Sequence, residues 1–424
     1  MTKAPRPLAR LRASALALAL ACFAPLHAAD YTITAASPDS VDLSNVGLLP
    51  GDTVFIQAHT RQKLILQNLT AGTAENPVLI TNLGGQFVID TTTTDKGLHF
   101  YNCRHFVLRG TPSPGNYDYG IKLARVSQAG AIGLAFIQGS TDFEVSHLEI
   151  SNVGFAGIMA KSDNLHRDVF TMRNVSFHHL YIHDTGGEGI YVGSSFYSDT
   201  VKNPHEIHGV EIHDNRIENT GWDGIQLGCA TQDAAIYRNR IIGYGGAEIT
   251  ASDHSVQNEG IRINPGTTAR VFDNYIQGGN PGSGSGIFAN PHDDSVYFNN
   301  VIVTPGESGI VIGADSSLIA GASIALLNNT IVSPAQHGIE FWSTGSSGNT
   351  AINNLIVGPG SGSQYVYKRY PSVVLPVTAP LHVATIAEAG FVNAAAHDYR
   401  LAAGSPAINA GVSVASSGVT TDHR

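Results

Sequence analysis

The pair Gly-Ile returns down this chain at intervals of only 23 to 36 residues. It stands at Gly157-Ile158, Gly189-Ile190, Gly224-Ile225, Gly260-Ile261, Gly286-Ile287, Gly309-Ile310 and Gly338-Ile339. A second marker falls between these pairs, at His147, His179, Asn215, Asn239, Asn274, Asn300, Asn329 and Asn354. Each lies beside a short β-prone run, such as Tyr181-Ile182 or Val301-Ile302-Val303.

A unit this short, holding two or three strands, cannot bury its own apolar face. Stacked copies bury it against each other. A polar residue repeated at one turn makes a ladder, and Asn suits one because its amide both donates and accepts. Helical alternatives fail, because the apolar runs are short and Gly is abundant, at 46 residues. A propeller blade needs about four strands per repeat. A left-handed β-helix needs strict hexapeptides, which are absent. The predicted fold is all-β: a single-stranded right-handed parallel β-helix with an N-terminal cap and a non-repeat C-terminal tail. The predicted boundaries are a signal peptide over 1–29, the β-helix over 30–360 and a packed tail over 361–424. The stretch Gly360 to Pro380 breaks the repeat and is expected to cap the stack or run back along it.

The signal peptide rests on a basic start (Lys3, Arg6, Arg10, Arg12), an apolar run from Ala13 to Phe23 and small residues at Ala28 and Ala29. A run of about 11 apolar residues is too short to span a bilayer. The expected location is secreted or periplasmic. Ala19-Leu20-Ala21-Cys22 resembles a lipobox, which gives a lipid-anchored alternative. Cleavage removes four basic residues and takes the formal charge from −10 to −14. That field opposes nucleic acid and anionic lipid as general partners. Export permits disulfides, but Cys103 and Cys229 lie about four coils apart, about 19 Å at the usual strand spacing. A disulfide requires Cα atoms within about 7 Å, so both are read as buried free thiols.

In this register the residues before each Gly form one outward column, expected on an open solvent face: Ala156, Glu188, Asp223, Glu259, Ser285, Ser308, His337. The residues after each Ile form a second: Met159, Tyr191, Gln226, Arg262, Phe288, Val311, Glu340. Three consecutive coils therefore carry stacked carboxylates, which repel one another. Close carboxylates are where acid and base roles separate. The longest repeats bracket these coils and add the loops Ser194–His205 and Gly243–Gln257. Insertions in a solenoid often wall a binding site.

Several segments resemble known families. Leu49 to Val54 and Gly72 to Val78 resemble the opening of secreted, pectin-lyase-like β-helix enzymes, including the alginate lyase and chondroitinase B group. Asp398 to Leu401 and Gly404 to Asn409 resemble the closing segment of secreted bacterial β-helix proteins. Glu188, Asp223 and Glu259 are similar in position to the polygalacturonase site, although Glu259 replaces that family's His and its Arg-x-Lys signature is absent. The block also resembles the Ca2+-dependent pectate lyases, which cluster carboxylates beside an Arg base. Asn290-Pro291-His292-Asp293 resembles a motif of mannuronan C5-epimerases.

These resemblances imply an enzyme acting on polysaccharide, foremost a lyase cleaving uronic-acid chains by β-elimination. Glu188, Asp223 and Glu259 would bind Ca2+ or position the sugar. Arg262 and Tyr191 would be base and acid in either order, with Gln226 and His292 contacting substrate. The alternatives are an inverting glycoside hydrolase using Glu188 and Asp223, a uronate C5-epimerase, and a non-catalytic carbohydrate-binding or adhesion solenoid.

Overall fold

A computed structural model describes residues 30–247, 257–280, 282–314, 316–415 and Val419. The expected signal peptide, with Cys22, and residues 248–256 of the second long loop lie outside the described residues.

The chain winds through three parallel sheets, one strand per sheet per coil, giving sheets of 13, 12 and 12 strands. One 12-stranded sheet carries the Gly-Ile strands, including Ile158–Ala160, Ile190–Val192, Ile225–Leu227, Ile261–Thr267, Ile287–Pro291, Ile310–Ile312 and Ile339–Phe341. We call it the site sheet. Their first isoleucines stack in the interior with no exposed surface, and alternation turns the next residue outward. The repeat glycines are required by close approach. A Cβ on Gly224 would stand 2.5 Å from Ile241 Cγ2 and 2.6 Å from the Gly260 carbonyl oxygen of the next coil.

The ladder is continuous over six coils. Each Nδ2 of Asn215, Asn239, Asn274, Asn300 and Asn329 donates to the next Oδ1 at 2.9 to 3.0 Å. The same Oδ1 atoms accept the preceding coil's backbone N–H. His147 and His179 are a correction to the expected ladder. Their neighbours Ser146, His178 and His213 pair across strands, so His179 aligns with Asp214, one position outside the ladder. Both histidines take the left-handed conformation (φ 60° and 54°), as Asp214 does at 53°. The ladder column itself continues into Leu180, whose N–H is capped by Asn215 Oδ1 at 3.1 Å. Spacing could not separate two adjacent turn positions that are both polar.

Asn274→Ala should destabilise the protein by about 3 kcal/mol or more. It strips the acceptor from two buried donors of Asn239 and the donor from the Ile236 carbonyl. Each orphaned buried group costs about 1–3 kcal/mol. Equilibrium urea unfolding measures this, and a cost below about 1 kcal/mol would show that the ladder adds little.

The stack also runs further than the glycine markers reach. Val366–Lys368, Val377–Thr378 and Leu381–Val383 continue the three sheets beyond residue 360. The segment that runs back lies later than expected. Phe391, Tyr399 and Leu401 pack on Val332, Leu355 and Val357 outside the third sheet. Val414 and Val419 cover Phe298 and Leu327 on the 13-stranded one. At the other end Tyr31–Ile33 and Ser40–Asp42 are already edge strands of two sheets. Cys103 and Cys229 are free and buried, and burial pushes both thiols up to about 12. Among the described residues, no helix is long and apolar enough to cross a membrane.

Candidate active site

The site sheet aligns the predicted columns. Tyr191, Gln226, Arg262 and Phe288 pair in sequence across neighbouring strands. The N–H groups of Gly189 and Gly224 donate to the carbonyls of Asp223 and Glu259, which stacks the pre-glycine residues coil on coil. The expectation of an open solvent face is corrected. Glu188 and Asp223 have no exposed surface, and Glu259 is 2% exposed. Other parts of the chain lie close at opposite ends of these strands, and the Glu259 carboxyl itself lies against Gly284 of the next coil. After Val192 the chain crosses several coils, placing the Tyr197 ring over Gly266 and Ser198 Oγ 2.9 Å from the Ser316 carbonyl. Before Ile261, Gln257 Nε2 reaches Gln226 Oε1 at 3.3 Å. A ligand reaches the carboxylates only if covering groups move.

Burial decides the electrostatics. It pushes the Glu188 carboxyl up to about 8, and neighbouring Asp223 adds to the shift while Lys161 opposes it. It pushes Asp223 up to about 7, against Arg262 and a 2.8 Å hydrogen bond from the Glu259 N–H. Burial also holds Glu259 well above the usual carboxylate range, with Arg262 opposing. Arg262 Nη1 lies 3.8 Å from Glu259 Oε1. Its Nε donates to Asn264 Oδ1 at 3.2 Å, and the guanidinium sits 4.1 Å over the Phe288 ring.

Seven buried polar atoms in this group have no hydrogen-bond partner: both Glu188 oxygens, Asp223 Oδ2, Gln226 Nε2, Glu259 Oε2, Arg262 Nη1 and Ser285 Oγ. Buried polar groups normally carry partners. Such a concentration is suited to a polar ligand rich in hydroxyls. The Ca2+ set expected from sequence does not fit. Ca2+ takes about six to eight oxygens, drawn from ionised carboxylates. A resident Arg262 already lies against Glu259, and among the described residues no three His, Cys, Asp or Glu converge as a metal-holding group.

The other expected residues divide. Tyr191 borders the carboxylates, with its hydroxyl raised by burial. His292 belongs to the loop wall instead: its N–H donates to the Thr267 carbonyl, and its ring meets Tyr197 at 5.0 Å. Sequence reasoning missed Lys161. Its Nζ lies 4.9 Å from the Tyr191 ring centroid and 2.9 Å from Asp163 Oδ2. The signal was there, because alternation after Met159 turns position 161 outward again. A cavity of about 930 Å3 lies elsewhere, beneath the C-terminal segment. Its one charged lining residue, Arg400, is already paired with Asp398, so it offers no comparable chemistry.

A family profile for the right-handed beta helix region matches residues 130–370, more than half of the chain. The chain belongs to the right-handed β-helix family. The match spans the whole carboxylate block of this β-helix protein. No curated protein sequence matches it. Among solved structures it is similar to the GH136 lacto-N-biosidase of Eubacterium ramulus, at 15% identity and TM-score 0.57, covering 84% of this chain and 68% of that one. It is also similar to the pectate lyase Pel9A, at 11% identity and TM-score 0.54, covering 93% of both chains. At these identities the likeness concerns the fold.

Proposed function

We propose that this β-helix protein is a carbohydrate-processing enzyme that cleaves glycosidic bonds by general acid–base catalysis. Glu188 is the acid and Asp223 the base. The observation that carries the reading is the stacking of Glu188 and Asp223 on adjacent coils, fully buried, with unpartnered oxygens in one polar cluster. The lacto-N-biosidase and pectate lyase with the same fold, by their names, act on carbohydrates, which supports the substrate class.

The two environments separate the roles. Arg262 and the Glu259 N–H favour ionised Asp223, while Glu188 keeps its proton to about 8. Pairs of carboxyls set apart by their surroundings divide into acid and base in this way. Hydrolysis is favoured over the elimination expected from sequence because the adjacent Glu188 and Asp223 carboxyls are set apart by their surroundings in the way an acid and a base require. Elimination is the second reading, and Lys161 beside Tyr191 is the observation that favours it.

The test is a panel of pectate, alginate, glycosaminoglycans and neutral glycans, each with and without a chelator. New reducing ends without an unsaturated product, unchanged by chelator, are expected. Activity should rise with pH through about 7 as Asp223 ionises and fall through about 8 as Glu188 loses its proton. An unsaturated uronate product would establish elimination instead. Inactivity across the whole panel would favour a binding module.

A further inference from the structure

We infer that Trp342, Arg369 and Glu340 form a distal sugar-binding subsite that extends the carboxylate site along the same sheet and takes a pyranose unit of an oligosaccharide. The inference rests on reading that site as the place of glycan cleavage. Glu340 continues the outward column of Tyr191, Gln226, Arg262, Phe288 and Val311, and Trp342 comes directly after the strand Ile339–Phe341 that carries it. Trp342 lies four coils beyond Asp223, about 19 Å along the stack at the usual strand spacing.

The indole is half-buried and held in place. Its Nε1 donates to Glu340 Oε1 at 2.8 Å. Glu340 is 7% exposed and also accepts from Ser308 Oγ at 3.1 Å. The Arg369 guanidinium lies 4.3 Å from the indole centroid and 3.5 Å from Glu340 Oε1. Arg369 covers one face of the indole, and the part of the ring that stays exposed, beside the polar groups of Glu340 and Arg369, matches a pyranose. The sugar's C–H face packs on that exposed part and its hydroxyls bond to the polar groups beside it. The subsite is joined to the chemistry by contact. Phe288 meets Trp342 edge to face at 5.5 Å and carries Arg262 over its own face at 4.1 Å.

The chain has two tryptophans, Trp222 and Trp342, so fluorescence can isolate the distal one. Trp222→Phe combined with Asp223→Asn leaves Trp342 as the sole tryptophan in a protein expected not to cleave. The probes are the disaccharides and hexasaccharides of cellulose, mannan, chitin and polygalacturonate. At least one hexasaccharide should shift Trp342 emission while its disaccharide does not. Trp342→Ala in the otherwise native chain should raise KM for that hexasaccharide tenfold or more, leave kcat/KM for the disaccharide unchanged and keep the melting temperature. Trp342→Phe should fall between. No response to any hexasaccharide, an equal response to the disaccharide, or an unchanged hexasaccharide KM would overturn the subsite. A hexasaccharide that shifts Trp342 emission yet is never cleaved by the native protein leaves the subsite standing and removes the enzymatic reading.

Discussion

Asp223→Asn should lower turnover by about 10²–10⁴-fold, the usual worth of a positioned proton-transfer group, while the fold stays at least as stable at neutral pH. The replacement keeps an oxygen to accept the Glu259 N–H. It also removes a carboxyl that burial holds at about 7. Such a group favours unfolding once the pH exceeds its ordinary 3.8, because the unfolded chain gives up the proton more easily. Catalysis and stability therefore move in opposite directions in one variant. Turnover on the best panel substrate and the melting temperature at pH 7 decide it. A variant with near-native turnover places the chemistry elsewhere. One that loses both activity and fold makes Asp223 a structural residue.

Glu188→Gln should flatten the loss of stability between about pH 5 and pH 8. The sign follows from the raised carboxyl. Below its ordinary 4.5 both states hold the proton and no penalty exists. As pH rises, the unfolded chain ionises first while the folded chain keeps its proton to about 8. Stability falls across that window and levels off above it. Asp223 adds a fall that ends near 7. His99 acts on the other side. Burial holds it down to about 4, so the unfolded chain gains the proton first as pH drops below 6.5. The Gln variant should remove the fall that Glu188 contributes and leave the opposing contribution of His99 unchanged. Melting temperatures at one-unit pH steps measure this. An unaltered alkaline slope would mean that Glu188 is not held protonated in the folded state.

Much of the architecture was legible because a solenoid writes its contacts into its repeat. Gly189, Gly224 and Gly260 mark one corner of successive coils, and their spacing alone aligned Tyr191, Gln226 and Arg262 into the column seen in the structure. Asn215 to Asn354 were legible for the same reason, since one side chain serves one turn on every coil. The exceptions are positions where local pattern has two solutions. His147 and His179 sit one residue from the ladder and are equally polar. The coils after residue 360 carry no glycine marker, so their continuation could not be read.

Periodicity along the chain dictates the parallel stack, its register and the coils on which Glu188, Asp223 and Glu259 meet. Their environment is a matter of three-dimensional packing. Burial depends on how the whole chain packs, including non-repeating segments such as the one that carries Tyr197 over Gly266 and Ser198 to Ser316, a contact across 118 residues with no periodic signature. Burial sets which carboxyls keep their protons, and packing places Arg262 beside Glu259 and Lys161 beside Tyr191. Desolvation and charge pairing are properties of the packed volume, and no spacing rule encodes them.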